Sequence, residues 1–496
     1  MQKADMMQYM KGLIFKKENN DGVVSVYLCM MLAVMISVLL IIIEASRVNA
    51  MQTQIECSSD MAMDSALSEY NQILLDRYGL LFIDTSYGKS EGSLDNLTEH
   101  IKSYLEYNLN PQKDELLLLG SSDLLGLSVD SIDVLNVSRA TDDNGKVFRY
   151  MAESYMLEKY GFGYIDDIQS MINTTNEYSL FDTDLDEEYE QAQDDFYNFE
   201  SPGEESAADF DDLNIENPTT EVNNLRGINL MEVCGIDVSD KRTNLDYYVT
   251  HRDLVAGNGL PDSWEERNSI EEELLFNEYI LQKFGNFRSR KDNSVLDYEI
   301  EYIIAGKGSD EENLTCVALN MINIRGASNT IYYFTNAELQ SEVELIAYGL
   351  STALAMPELE YVFEAMIAAA WIYSESVYDV KVLLDGGKIP LIKAPGQWNL
   401  GITSILSDAI DAISGSAAYG HNEGLSYEDY LRLILYISPI ENRTLRSMDI
   451  IEMDVRNITG SSSFKMDNCI ASAGIQMIFT STHGYSCLLQ RVMEYW

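Results

Sequence analysis

Trp371, Glu375 and Asp379 stand at i, i+4 and i+8 of an otherwise apolar run, a spacing that places all three on one face of a helix. A carboxylate in apolar surroundings keeps its proton to higher pH and can act as a general acid. Glu375 and Asp379 are therefore the candidate catalytic pair of a hydrolase. The commoner use of such acids is a structural ion pair, here with Lys393 or Lys381 as partner. A second acidic set, Asp182, Asp184 and Asp186, imitates the start of a calcium-binding loop. The imitation stops at the sixth position, Glu187 instead of glycine, and the twelfth, Gln193 instead of glutamate. No metal or other cofactor is expected.

The remaining reactive side chains are scattered. His100, His251, His421 and His483 each stand alone. No metalloprotease, nucleophile-elbow, phosphate-loop or dinucleotide-binding pattern occurs, and no small-molecule substrate is identified. The six cysteines form no C-x-x-C pair, which removes support for a structural zinc site. Cys469 and Cys487 can pair if the chain is exported; free thiols are the alternative.

The elements that must position Glu375 and Asp379 are mostly helical. Helices are expected over Ser269 to Lys283, Glu311 to Arg325, Asn336 to Ala355 and Leu359 to Leu384. Pro357 precedes the last of these and Gly386-Gly387 ends it. Ser426 and Asp429 form a capping box that opens another. Val147 to Tyr160 is a further helix, set off by the turn residues Asp143-Asn144-Gly145. Strands are expected over Leu80 to Ile83, Leu127 to Val137, Val295 to Ile304 and Lys388 to Lys393. Residues 467–487 read as strand segments broken at Gly474 and Gly484. Residues 182–216 hold fifteen acids and no base, which reads as an acidic loop or linker between two lobes, 79–181 and 217–496.

The net charge is −48. A surface so acidic repels phosphate, so no nucleic acid is expected as a partner. Val23 to Ile43 runs for 21 residues without charge, glycine or proline. At 1.5 Å per residue it spans roughly 32 Å, enough for a bilayer core. Lys3, Lys11, Lys16 and Lys17 precede it, while only Arg47 follows closely. This bias places residues 1–21 in the cytoplasm and everything after the 22–43 span outside the cell membrane. Val48, Met51, Ile55, Ala62, Ala66 and Ile73 then recur at helical spacing, with no glycine before Gly79. The membrane helix is expected to continue through a stalk, 44–78, as one helix capped by Gly79.

The text SSDMAMDSALSEYNQILLDRYGLLFID, following an N-terminal membrane helix, resembles the TadE/TadG-like proteins of Flp/Tad pilus systems over residues 22–84. The resemblance implies pilin-like or Tad assembly proteins as partners through the stalk helix. It also implies prepilin-type cleavage after Gly22; glutamate is expected five residues on, and Tyr27 stands there instead. The D-x-S-x-S adhesion motif of some members is missing at both Asp84 and Asp237. LDYEIEYIIAGKGSDEENL, AAWIYSESVYDVKVLLDGGKIPLIK, GLSYEDYLRLIL and RSMDIIEMDVR resemble the large outer domain of a family encoded beside such pilus genes in Gram-positive bacteria. That family supplies context and no chemistry. The expected fold is α+β: a long transmembrane and stalk helix, then a mostly helical extracytoplasmic domain with short strands. The expected function is a membrane-anchored, non-enzymatic component of a Tad/Flp-type pilus or secretion apparatus. A membrane-tethered cell-envelope hydrolase and a free-standing adhesin are the alternatives.

Overall fold

A computed structural model of the chain describes residues 21–89, 91–109, 125–161, 165–181, 184–198, 217–265, 269–415, 423–482 and 484–495. The fold is α+β, with a four-stranded sheet among many helices. Two compact units divide the chain: residues 1–68, 97–135 and 474–493 form the first, and residues 69–96, 136–473 and 494–496 the second.

In the first unit, α1 (Asp21–Leu67) is a single helix of 47 residues. Its apolar part has a mean hydropathy of 3.0 with none of that window buried, and it is long and apolar enough to cross a membrane. From Met51 onward the character changes. Met51, Ile55, Ala62, Met63 and Ala66 are buried, on the helical spacing read from the sequence. α2 (Leu94–Leu109) buries Leu97, Ile101 and Leu105 within this unit. Gln54 donates to the Asn108 carbonyl, and Arg491 donates to Asp60.

The helix does not continue to Tyr78 as expected. It ends at Leu67, and a separate π-helical turn follows at Leu74–Tyr78. Three local hydrogen bonds, made by two side chains, mark the break. The Ser68 hydroxyl returns to the Asp64 carbonyl, and the Asn71 side chain accepts from the amides of Ile73 and Leu74, which starts a new turn. Gly79 closes that turn in the left-handed conformation, at φ 71° and ψ 27°. A Cβ there would run into the Tyr155 ring. Gly79→Ala is expected to lower stability by about 2 kcal/mol, combining backbone strain with the clash; thermal denaturation checks this.

The sheet runs β1 (Ile83–Asp84), β3 (Cys469–Ser481), β2 (Leu127–Arg139), with β4 (Ser486–Glu494) on β3. β1 is antiparallel to β3, with Ile83 opposite Ile470 and Asp84 opposite Cys469. The strand expected at Leu80–Ile83 is thus two residues long. Gly474 lies inside β3 and does not break it, whereas Gly484 (φ 80°) lies between β3 and β4.

In the second unit, α3 (Asp142–Tyr160) opens with Asp143, Asn144 and Gly145 all at positive φ. α4 spans Ile165–Glu177, and α5 (Leu185–Tyr197) lies inside the acid-rich stretch expected as a loop. Its correction has a simple cause: Leu185, Tyr189, Gln193 and Phe196 recur at helical spacing and are buried. Residues 199–216 of that stretch lie outside the described residues. α6 (Thr220–Arg226), α7 (Leu230–Cys234), α8 (Ile270–Lys283) and α9 (Glu299–Ala305) follow. The α9 segment was expected as a strand. Its Leu-Tyr-Ile-Tyr-Ile text alternates, but both sides are buried, so a helix satisfies the same pattern. The Asp310 carboxylate also takes the amides of Asp297 and Tyr298, just before the helix begins.

α10 (Asp310–Thr335), α11 (Ala337–Ala353) and α12 (Glu360–Leu384) form the centre of this unit. α12 packs against α5, α10, α11 and α13 (Ile402–Ser414). α14 (Tyr427–Ile437) carries the expected capping box of Ser426 and Asp429, and α15 is Ile440–Thr459. Lys388–Lys393 is no strand. It makes one bridge, Ile389 to Leu425, because Pro390 has no amide donor and the next carbonyls serve a side chain instead.

Candidate functional site: a sealed charge cluster

α12 is buried along most of its length, and Glu375 and Asp379 project from it at i and i+4. Lys393, from the segment after α12, contacts both: it donates to Glu375 and sits 2.9 Å from Asp379 Oδ1. Arg325, from the middle of α10, donates through Nε to Asp379 Oδ2 at 3.0 Å. All four side chains have zero exposure. The cluster therefore holds two anions and two cations and is neutral.

Further hydrogen bonds surround Glu375, Asp379 Oδ2 and Arg325. Glu375 accepts from the amides of Asn399 and Leu400, both at 2.9 Å, and from the Asn399 side chain at 3.1 Å. Asn329 donates to Asp379 Oδ2 at 3.1 Å. Arg325 Nη1 donates to the carbonyls of Pro390 and Leu391 and to the Tyr430 hydroxyl, and Nη2 to Asn329. Trp371, the third residue on this face, donates to the Leu400 carbonyl and packs edge-on against Trp398. Burial works against the Asp379 carboxylate, but Lys393 and then Arg325 outweigh it and hold its pKa below the usual range.

Chemically, this arrangement binds the segment 390–400 to α10 and α12. A general acid must come within hydrogen-bond reach of a substrate, and zero exposure prevents that here. Of the two lysines considered as partners, Lys393 is the one. Lys381 instead donates to the carbonyls of Ile413 and Ser414, at the end of α13.

The other sequence candidates have structural tasks. Asp184 caps α5 by accepting from the amides of Asp186 and Glu187. Asp186 pairs with Arg226 at 3.0 Å. Asp182 lies outside the described residues, as do His421 and His483. No group of three or more metal-ligating side chains occurs among the described residues. Cys469 is buried at the start of β3, and Cys487 stands in β4; both are free thiols. Gly22 and Tyr27 lie in the exposed apolar part of α1.

A larger set of buried acids was not singled out from the sequence. On α15, Asp449 takes the Tyr302 hydroxyl (2.8 Å) and the Thr250 hydroxyl (2.6 Å). Glu452 pairs with Arg252 and Arg456, and Asp454 with Arg77 and the Tyr78 hydroxyl. On α9, Glu299 accepts the Gly285 amide, and Glu301 accepts the Tyr427 hydroxyl and the Phe287 amide. Burial is the largest influence on each. It pushes Glu301 and Glu452 up to about 7, and with the Asp454 charge beside it Glu299 reaches about 8. The available signal was the text RSMDIIEMDVR, three acids embedded in an apolar run.

The model of one family, described as a family of unknown function (DUF5702), matches residues 209–481. No curated protein and no solved structure matches the chain.

Proposed function

The chain belongs to that family of unknown function, and from this premise we propose that it is a membrane-anchored, non-enzymatic component of a Tad/Flp-type pilus or secretion apparatus. The apolar part of α1 is the observation that carries the reading. Twenty-one uncharged residues with no protein packed on them call for lipid or partner helices as their surroundings. The four lysines before it and the near absence of basic residues after it support a cytoplasmic N-terminus. Ala45, Ser46 and Ala50, small and exposed just after the apolar run, suit close packing against pilin-like helices. Tyr27, standing where a prepilin peptidase would meet glutamate, keeps the chain uncut in the membrane. The sealing of Glu375 and Asp379 supports an assembly role over hydrolysis.

Deleting the gene is expected to abolish or strongly reduce surface pili and adhesion. Restoring the chain with Glu375→Gln in place is expected to recover both wherever the variant reaches wild-type levels. Unchanged piliation and adhesion in the deletion would refute the assembly role. A hydrolytic activity lost in Glu375→Gln at unchanged melting temperature would favour the enzyme instead.

A further inference from the structure

Between α5, α10 and α12 of the second unit lies a cavity of about 430 Å³, within the size range of small-molecule sites. It is lined by Ala365, Ala368, Ala369 and Ile372 of α12 and by the rings of Tyr333, Phe334 and Tyr361. Phe334 is 70% exposed and Tyr361 65% exposed, a large apolar cost for a helical surface facing water alone. Glu188 and Glu364 also line the cavity. Neither holds a cation among the described residues. Glu364 instead faces the charges of Glu344 and Glu360, and Glu188 faces Asp184. The Thr330 hydroxyl is buried in the cavity wall with no hydrogen-bond partner among the described residues. Burial and then the neighbouring glutamates raise the Tyr333 phenol to about 12, so it presents a neutral ring.

We propose that this cavity binds a small hydrophobic cation, an apolar or aromatic body carrying an ammonium group. The apolar body replaces water over the alanines of α12. The ammonium group enters a cavity whose two lining carboxylates hold no cation among the described residues, beside aromatic faces that attract cations, and can donate to the vacant Thr330 oxygen. A second copy of this chain, at a net charge of −48, would be repelled from the same place. The inference stands apart from the pilus reading, since it needs neither the membrane nor a partner protein.

The test uses the full chain in lipid nanodiscs and three isosteric probes: phenylbutylamine, phenylbutanol and phenylbutyrate. Calorimetric titration is read as the difference from an Ala365→Trp chain, whose added ring fills the cavity from an exposed position on its lining. The amine is expected to bind about tenfold more tightly than the alcohol, and the carboxylate not at all. Glu188→Gln combined with Glu364→Gln should bring the amine down to the alcohol while leaving the alcohol unchanged. Equal affinities for amine and alcohol, no binding by any probe, or amine binding that persists in Ala365→Trp would each overturn the proposal.

Discussion

Lys393→Met is expected to destabilise the chain by about 3–5 kcal/mol, the range for removing one partner from a buried ion cluster. Lys393 touches both carboxylates of α12 in a site with zero exposure. Without it, Asp379 keeps Arg325 while Glu375 loses its cation, and one negative charge is left uncompensated in the core. Taking up a proton relieves that charge. The loss should therefore be larger at pH 8 than at pH 5, since the orphaned carboxyl is protonated more cheaply at the lower pH. Adding Glu375→Gln to Lys393→Met restores neutrality, because Asp379 keeps Arg325 at 3.0 Å. The double variant is expected to recover much of the lost stability, and the coupling between the two sites measures their interaction. Thermal or urea denaturation of the four chains at both pH values checks all of this. Additive losses would mean that Lys393 and Glu375 do not act as a pair.

Folding stability should also fall as pH rises from about 5 to 8. Glu301 and Glu452 hold their protons to about 7 and Glu299 to about 8 in the folded chain, against 4.5 for an ordinary glutamate. Between those limits the folded chain binds more protons than the unfolded one, so its stability decreases with pH across that window. The opposite sign applies to Asp379 and Asp467. Burial opposes both, but their lysine and arginine partners hold them below the usual value. Their contribution is present above the unfolded value and is lost as pH falls through the folded one. Stability is thus expected to peak near pH 5, in contrast to the neutral optimum common for globular domains. Glu301→Gln removes one of the raised groups and should cut the protons released on unfolding near pH 6 by about one. Calorimetry in two buffers of different ionisation enthalpy measures that number directly.

Helices α8, α11, α12 and α14 of the second unit were legible because their ends carry local chemistry. Ser269 and Ser426 cap α8 and α14 through side chains three residues away, and such short-range contacts are visible in a string of letters. The membrane-length run was legible for the same reason. The break at Leu67 was not, because serine and asparagine side chains compete there with helical hydrogen bonds in a stretch of good helix formers. The α9 segment misled because alternation cannot separate a strand from a helix buried on both sides.

The site divides along the same line. Glu375 and Asp379 announce themselves four residues apart, and Lys393 follows within 18 residues. Arg325 stands 54 residues before Asp379, and only the packing of α10 on α12 brings it there. The α15 acids find partners still further off: Arg77 lies 377 residues from Asp454. The sequence could show that these acids sit in apolar text. It could not show which distant arginine, tyrosine or amide neutralises each one.

On the proposed reading, α1 stays in the membrane and holds the rest of the chain outside. A cysteine placed at the exposed Asp240, in a chain whose native cysteines are replaced by serine, tests it most directly. Spheroplasts are treated with a membrane-impermeant maleimide, and the chain is then followed through a carbonate-washed membrane fraction. A labelled chain is expected, retained in the membrane, whose mass still includes residues 1–21. Labelling only after permeabilisation, or a soluble chain that begins beyond Ile43, would contradict it.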